Sequence, residues 1–322
     1  MGAGNLLRSR VDAAAAGVTL LDWLVQRFRY HDRAGWAAEV RAGRLSIGGA
    51  VASAEQVLRA GDELVFAPAA AADRLEPVPV LFADDALVVV DKPARTVVQR
   101  ASAIAGRTFV ATLGRQHPPH DLAALEPAHR LDFETSGVLV LARSRAAFTA
   151  LQQAFAEGAV QKRYLAVVHG VFATDQVVVR GAIGPAKGSA VRARRAVVAD
   201  DARGARSAES AFAALERLVD RTLVAATPRT GRTHQLRVHL EHLGHPLVGD
   251  VLYGHDDARY LEFVARQKRE EGGPRPRDVD VARHLLHAES LQLAHPLTGA
   301  PLHFTAPWPD DLREYVARHR HG

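Results

Sequence analysis

The stretch His129-Arg130-Leu131-Asp132-Phe133-Glu134-Thr135-Ser136-Gly137-Val138-Leu139-Val140-Leu141-Ala142 runs an imidazole, a guanidinium and a carboxylate straight into a short apolar segment. Val138 to Ala142 reads as a buried strand, so the polar loop before it is clamped at the strand's edge and its side chains stand on a rigid support. The residues alone admit two readings. Arg130 and Asp132 ahead of Thr135-Ser136-Gly137 form either a loop stapled by a local ion pair and a Thr/Ser turn, or a chemically competent carboxylate with basic neighbours.

Working outward, further short strands are expected at 86–90, 164–168, 177–181 and 223–227. A helix is expected over 145–157, with Ala147, Phe148, Leu151 and Phe155 on one face. Strands outnumber long helices, which predicts an α+β fold whose mixed, largely antiparallel sheet is covered by helices. Upstream, Thr19 and Asp22 cap a helix carrying Leu20, Leu21, Leu24, Val25 and Phe28, after a short, loose N-terminus. A second short helix holds Trp36, Ala37 and Val40, Gly48-Gly49 joins two strands as a hairpin, and residues 57–66 supply a turn and a closing strand. Residues 15–68 thus form a small α/β module, the Ala/Pro-rich residues 69–78 a linker, and 79–322 a second domain.

The chain has 322 residues, and Lys+Arg exceeds Asp+Glu by 41 − 36 = 5, which suits a polyanion partner without requiring one. Lysine occurs only at Lys92, Lys162, Lys187 and Lys268, so planar, bidentate arginines dominate the basic surface. The absence of cysteine excludes disulfides, thiolate nucleophiles and Cys-type zinc sites. No apolar run approaches the ~18 residues of a membrane span, so a soluble, cytoplasmic protein without membrane association is expected. Two segments fit neither core nor motif. The arginine-rich run from Arg180 to Arg206 is a solvated face or, beside a cleft, a phosphate track; residues 255–283 read as a surface helix plus loop. His234, His239, His242 and His245 lack the i, i+4 pairing with an adjacent Glu of a helical zinc site, and read as hydrogen-bonding or capping residues, with no metal expected.

The 129–142 stretch closely resembles the catalytic motif of the RluA family of RNA pseudouridine synthases. Leu87-Val88-Val89-Val90-Asp91-Lys92-Pro93 resembles the family's strand into a Lys-Pro turn, and Lys162-Arg163-Tyr164-Leu165-Ala166-Val167-Val168-His169-Gly170 its tyrosine motif. Arg229-Thr230-Gly231-Arg232-Thr233-His234-Gln235-Leu236-Arg237-Val238-His239-Leu240, with Gly249-Asp250 and Tyr253-Gly254 beyond it, resembles a third. Leu286-His287-Ala288 and His295-Pro296-Leu297-Thr298-Gly299 resemble its C-terminal strands. After Lys92-Pro93 the chain departs from the usual Ala-Gly and His-containing turn, reading Ala94-Arg95-Thr96-Val97. The N-terminal module resembles an S4 RNA-binding domain, with Gly48-Gly49 in place of the usual Asn-Gly.

This resemblance implies an enzyme that isomerises uridine to pseudouridine in ribosomal or transfer RNA, with no cofactor, acting as a cytoplasmic monomer with RNA as its partner. It makes Asp132 the indispensable carboxylate, either a nucleophile at C1′ or a base at C2′. By the same resemblance Arg232 is matched to the active-site cation, with Arg237 as runner-up, and Tyr164 lies against the uracil with its hydroxyl reaching C5 for the final proton removal. Arg130 would fill the gap left by the flipped nucleotide. His129, Arg237, Arg192, Arg194, Arg195 and Arg44 are the remaining expected RNA contacts. Two other functions stay open at this point: a catalytically decayed RNA-binding protein of the same fold, and a metal-dependent hydrolase built on the histidine cluster.

Overall fold

The N-terminal residues expected to be loose include a strand, β1 (Leu7–Arg10), which pairs antiparallel with β4 (Glu63–Phe66). This computed structural model describes residues 7–28, 33–67, 78–96, 98, 109–122, 124–268, 275, 278 and 280–320. They belong to two units, one within residues 1–76 and one over 77–99 and 108–322.

In the first unit the Thr19 hydroxyl accepts the Asp22 N–H at 3.3 Å and caps α1 (Leu20–Arg27), which is followed by α2 (Arg33–Arg41). Gly48 and Gly49 have φ of 59° and 85°, the two left-handed residues that a tight hairpin between β2 (Leu45–Ile47) and β3 (Ala50–Val51) demands. Leu20, Trp23, Leu24, Trp36, Leu45, Leu64 and Phe66 close its core. Arg44, expected to meet RNA, forks onto Glu39 through Nε and Nη2.

The second unit is a ten-stranded sheet in the order β10-β13-β14-β9-β15-β8-β6-β5, with β7 on β8 and β16 on β15. Its strands are β5 (Val80–Ala83), β6 (Leu87–Lys92), β7 (Glu126–Pro127), β8 (Ser136–Ala142), β9 (Gln161–His169), β10 (Gln176–Arg180), β13 (Glu209–Arg217), β14 (Arg221–Pro228), β15 (Leu286–Ala294) and β16 (Pro301–Thr305). Only the β15–β8 pairing is parallel, which makes the sheet mixed and largely antiparallel as expected. Every residue of β8 is buried because both its faces are covered. Val138 and Val140 pack with Ala147 and Leu151 of α4 (Arg145–Ala156), while Leu139 and Leu141 pack with Val110 and Leu113 of α3 (Phe109–Gln116). Farther along the sheet, Leu236 and Leu240 of α5 (Gln235–His242) cover Ala166 and Val224, and Leu312 and Tyr315 of α7 (Asp310–His319) cover Leu165 and Leu223.

The arginine-rich run folds as a hairpin of β11 (Ala182–Pro185) and β12 (Arg195–Val198). Residues 255–283 do contain a helix, α6 (Asp257–Lys268), but Arg275 and Asp278 beyond it are buried rather than on a surface loop. No helix among the described residues is long and apolar enough to cross a membrane.

Gly137 marks the tightest point of the sheet. Its φ is +110°, and a Cβ there would lie 2.1 Å from the Ala288 carbonyl oxygen, in the parallel register that joins β8 to β15. Backbone strain and overlap combine, so Gly137→Ala is expected to destabilise the protein by about 3–5 kcal/mol in chemical denaturation. A change below about 1 kcal/mol would show that the two strands can separate freely.

Candidate active site

Asp132 lies in the loop that enters β8, and that loop is anchored from below by a residue to which the sequence had assigned no role. The buried Lys92 ammonium donates to the carbonyls of Pro93, Thr96 and Phe133 at 2.8, 3.2 and 3.4 Å. Burial, and then Arg283, push Lys92 down to about 7 against the pull of Asp132 and Asp91.

The cation beside Asp132 is Arg237, not Arg232. Arg237 Nη1 donates to Asp132 Oδ2 at 2.9 Å, while its Nε and Nη2 grip both oxygens of Asp250 at 2.7 and 2.9 Å. Asp250 is fully buried and also accepts the N–H groups of Leu252 and Tyr253 at 2.8 and 3.0 Å. The guanidinium lies 4.9 Å from the centre of the Tyr253 ring, whose hydroxyl meets His234 Nδ1 at 2.8 Å. Arg232 was misassigned because it precedes α5: its N–H donates to the Gln235 side chain at 3.0 Å, and its Nε donates to the Ser207 carbonyl at 2.9 Å. That turn sends it along the wall, where burial and the neighbouring Arg206 lower its pKa. Arg237, inside the helix, faces inward.

The electrostatic result is a carboxylate kept ionised. Burial pushes Asp132 up, but Arg237, aided by His234 and His284, outweighs it and holds the carboxyl below the usual range. Both histidines are themselves driven down to about 4, chiefly by burial and then by Arg237, so at neutral pH they are uncharged and the Arg237 guanidinium is the cation bonded to Asp132. Burial likewise raises Asp250, and Arg237 reverses the shift strongly. Among the described residues Asp132 Oδ1 makes no hydrogen bond or ion pair, and the side chain is 27% exposed. His234 stands before α5 with φ of 58°, a strained conformation for a non-glycine residue, held at the wall of the cleft.

Asp132 opens into a cleft of about 660 Å³, within the range of ligand sites. Tyr164 of β9 lines it, and burial together with Asp132 raises its pKa, so the hydroxyl stays protonated. Arg130 lies exposed on the lining. His129 also reaches the cleft but is no cation: Nε2 accepts the Val140 N–H at 3.2 Å, the ring stacks 4.9 Å from Phe155, and burial with Lys162 drives it to about 3. Arg194 is committed to Asp257 and Glu241 at 2.9 and 2.8 Å, and neither it nor Arg192 or Arg195 lines the cleft. The basic residues that do line it are Arg130, Lys162, Arg206, Arg229, Arg232 and Arg237. Asp250 has no role assigned by the sequence motif that contains it. A lone carboxylate in the apolar run from Pro246 to Tyr253 was the available signal, since such a group must find a buried partner.

The four histidines go separate ways. His234 binds Tyr253, His245 Nδ1 meets the His169 carbonyl at 2.8 Å, and His239 is fully buried. Among the described residues no group of three or more His, Asp or Glu converges on a possible metal position.

A single ionised acid thus faces a basic cleft at the middle of a mixed sheet, in a fold that comparison with solved structures identifies as that of a pseudouridine synthase. Human RNA pseudouridylate synthase domain containing 1 and domain containing 4 superpose with TM-scores of 0.54 and 0.57 at 26% identity, over 77% and 75% of this chain and 96% and 93% of theirs. The RNA pseudouridylate synthase profile matches residues 86–242. The ribosomal large subunit pseudouridine synthase D of Xanthomonas campestris pv. campestris is 32% identical over 97% of this chain and 92% of its own length. Synthase C of Escherichia coli K12 is 32% identical over 83% and 82%. The chain belongs to the RluA family of RNA pseudouridine synthases.

Proposed function

We propose that this enzyme isomerises uridine in large-subunit ribosomal RNA with Asp132 as the reacting carboxylate. The observation that carries this reading is that Asp132 is the only acid among the described residues lining the cleft, and that Arg237 holds it ionised. The relatives' ribosomal substrates support the choice of RNA.

The reaction breaks the C1′–N1 bond, turns the uracil and forms a C1′–C5 bond; the C5 proton leaves and N1 ends protonated. An ionised Asp132 can attack C1′ or remove a proton from C2′, and both uses need the free Oδ1. Tyr164, kept as a phenol, serves as a platform and hydrogen-bond donor rather than as the base that takes the C5 proton. Arg130 fills the stack left by the flipped nucleotide, and Arg206, Arg229 and Arg232 meet the phosphates. The N-terminal unit acts as an S4-like RNA-binding module, supported by its α1–α2 pair and Gly48-Gly49 hairpin. The enzyme works as a monomer in the cytoplasm, where ribosomal RNA is.

The test incubates the full chain with transcribed large-subunit ribosomal RNA or with transfer RNA, and maps pseudouridine by carbodiimide-dependent reverse-transcription stops. Stops confined to ribosomal RNA are expected. Stops only in transfer RNA overturn the substrate, and none in either, from folded protein, overturns the activity on these RNAs. In the same assay Tyr164→Phe should keep most of its rate, and paired Arg206→Ala/Arg232→Ala should weaken RNA binding and reduce the log–log salt slope by about 1–2. Arg41→Gln should weaken binding by a smaller factor if the N-terminal unit touches RNA.

A further inference from the structure

Outside the stretch matched by the family profile, one guanidinium reaches both halves of the ion-pair chain at the cleft. Arg275 is nearly buried, and its Nη2 meets Glu134 Oε1 and Oε2 at 2.8 and 2.6 Å. Its Nε donates to the Gly249 carbonyl and its Nη1 to the Ala282 carbonyl, both at 2.6 Å. Glu134 is two residues past Asp132, and Gly249 immediately precedes Asp250, the carboxylate that orients Arg237. Glu134 is held further by the His284 N–H on Oε2 at 3.0 Å and by Arg283 on its carbonyl at 3.2 Å. Neither Glu134 nor Arg275 lines the cleft, so neither is placed to touch the base.

We propose that Arg275 is a positioning residue, which clamps the Asp132 loop against the Asp250 turn and so sets the geometry of the Asp132–Arg237 pair. The proposal rests on Asp132 being the reacting carboxylate. A reacting group on a loop keeps its aim only if its supports fix the backbone to within about half an ångström. Lys92 fixes Phe133 on one side of the loop; Arg275 fixes Glu134 and ties it to the turn that determines where Arg237 points. Gly249 belongs to the same junction: a Cβ there would lie 2.2 Å from the Arg283 carbonyl oxygen, so this turn has no slack.

The experiment compares the full chain with Arg275→Met, Arg275→Lys and Glu134→Gln/Arg275→Met. Single-turnover rate, RNA affinity and melting temperature are measured for each, with rates read below that variant's melting temperature. Arg275→Met should lose about 10- to 100-fold in rate while RNA affinity stays within about threefold, since misplacing a reacting group costs rate rather than binding. Arg275→Lys should recover part of the rate, because an ammonium keeps the charge beside Glu134 but cannot reproduce the fork to the Gly249 and Ala282 carbonyls. The double variant should be no slower than Arg275→Met, because both changes break one contact. A folded Arg275→Met with wild-type rate overturns the clamp, as does a loss confined to affinity or melting temperature. If none of the three variants folds, Arg275 is architectural and the positioning role falls. Asp132→Asn is run in parallel: if it turns over, the reading of Asp132 itself fails, whereas an inactive Asp132→Asn beside an unaffected Arg275→Met sinks the clamp alone.

Discussion

Asp132→Asn is expected to lower the single-turnover rate by about 10⁴-fold or more, with RNA affinity equal to or slightly above that of the wild type. The substitution keeps the side chain's size and leaves an oxygen that can still accept from Arg237 Nη1. Arg237 stays in place through its two bonds to Asp250, so the cleft keeps its shape. What disappears is the negative charge, and with it any nucleophile or base at the reacting carbon. Binding should not suffer, because a polyanion enters a cleft that has lost the one acid among its described lining residues. Turnover near the wild-type rate would remove Asp132 from the mechanism.

Arg237→Gln is expected to affect folding and chemistry together. Asp250 would be left buried without its guanidinium, and breaking such a pair costs about 3–5 kcal/mol. The pH dependence identifies the cause. In the wild type Asp250 is held below its ordinary 3.8, so the stability it contributes is present above that pH and is lost as pH falls through the lowered value. In the variant, burial pushes the carboxyl the other way, and its contribution worsens as pH rises. The stability gap between the two proteins should therefore be widest near pH 7 and narrow toward pH 4, which urea denaturation at several pH values measures. Asp132 follows the same logic: without Arg237 its pKa rises, and the acid limb of the rate moves to higher pH. A gap that stays constant with pH would show that the loss comes from packing and not from the unpaired carboxylates.

Much of this molecule is legible because it is local. The β8 run, the Thr19 cap, the Gly48-Gly49 hairpin and the α4 stripe each depend on residues a few positions apart, and all four stand as read. The strand at Leu7–Arg10 escaped notice because a four-residue edge strand owes its existence to a partner more than fifty positions away, Glu63–Phe66. The motif around Asp132 is contiguous with the strand that supports it, which made its resemblance to the family's catalytic motif legible.

The sequence by itself determined the fold class, because periodicity, capping and turn chemistry act over short spans, and its resemblance to the RluA family gave the order of the motifs and Asp132 as the candidate acid. Only the tertiary structure decided which charges meet. Arg232 and Arg237 are five positions apart and chemically identical, and the start of α5 turns one along the wall and the other onto an acid 105 residues away. Burial made His129 a neutral brace, ion pairs engaged Arg194 with Glu241 and Arg44 with Glu39, and packing carried Arg275 from a segment without a readable pattern to the back of the Asp132 loop. Those outcomes follow from desolvation and distance in the folded chain, and neither quantity exists until the sheet has brought its strands together.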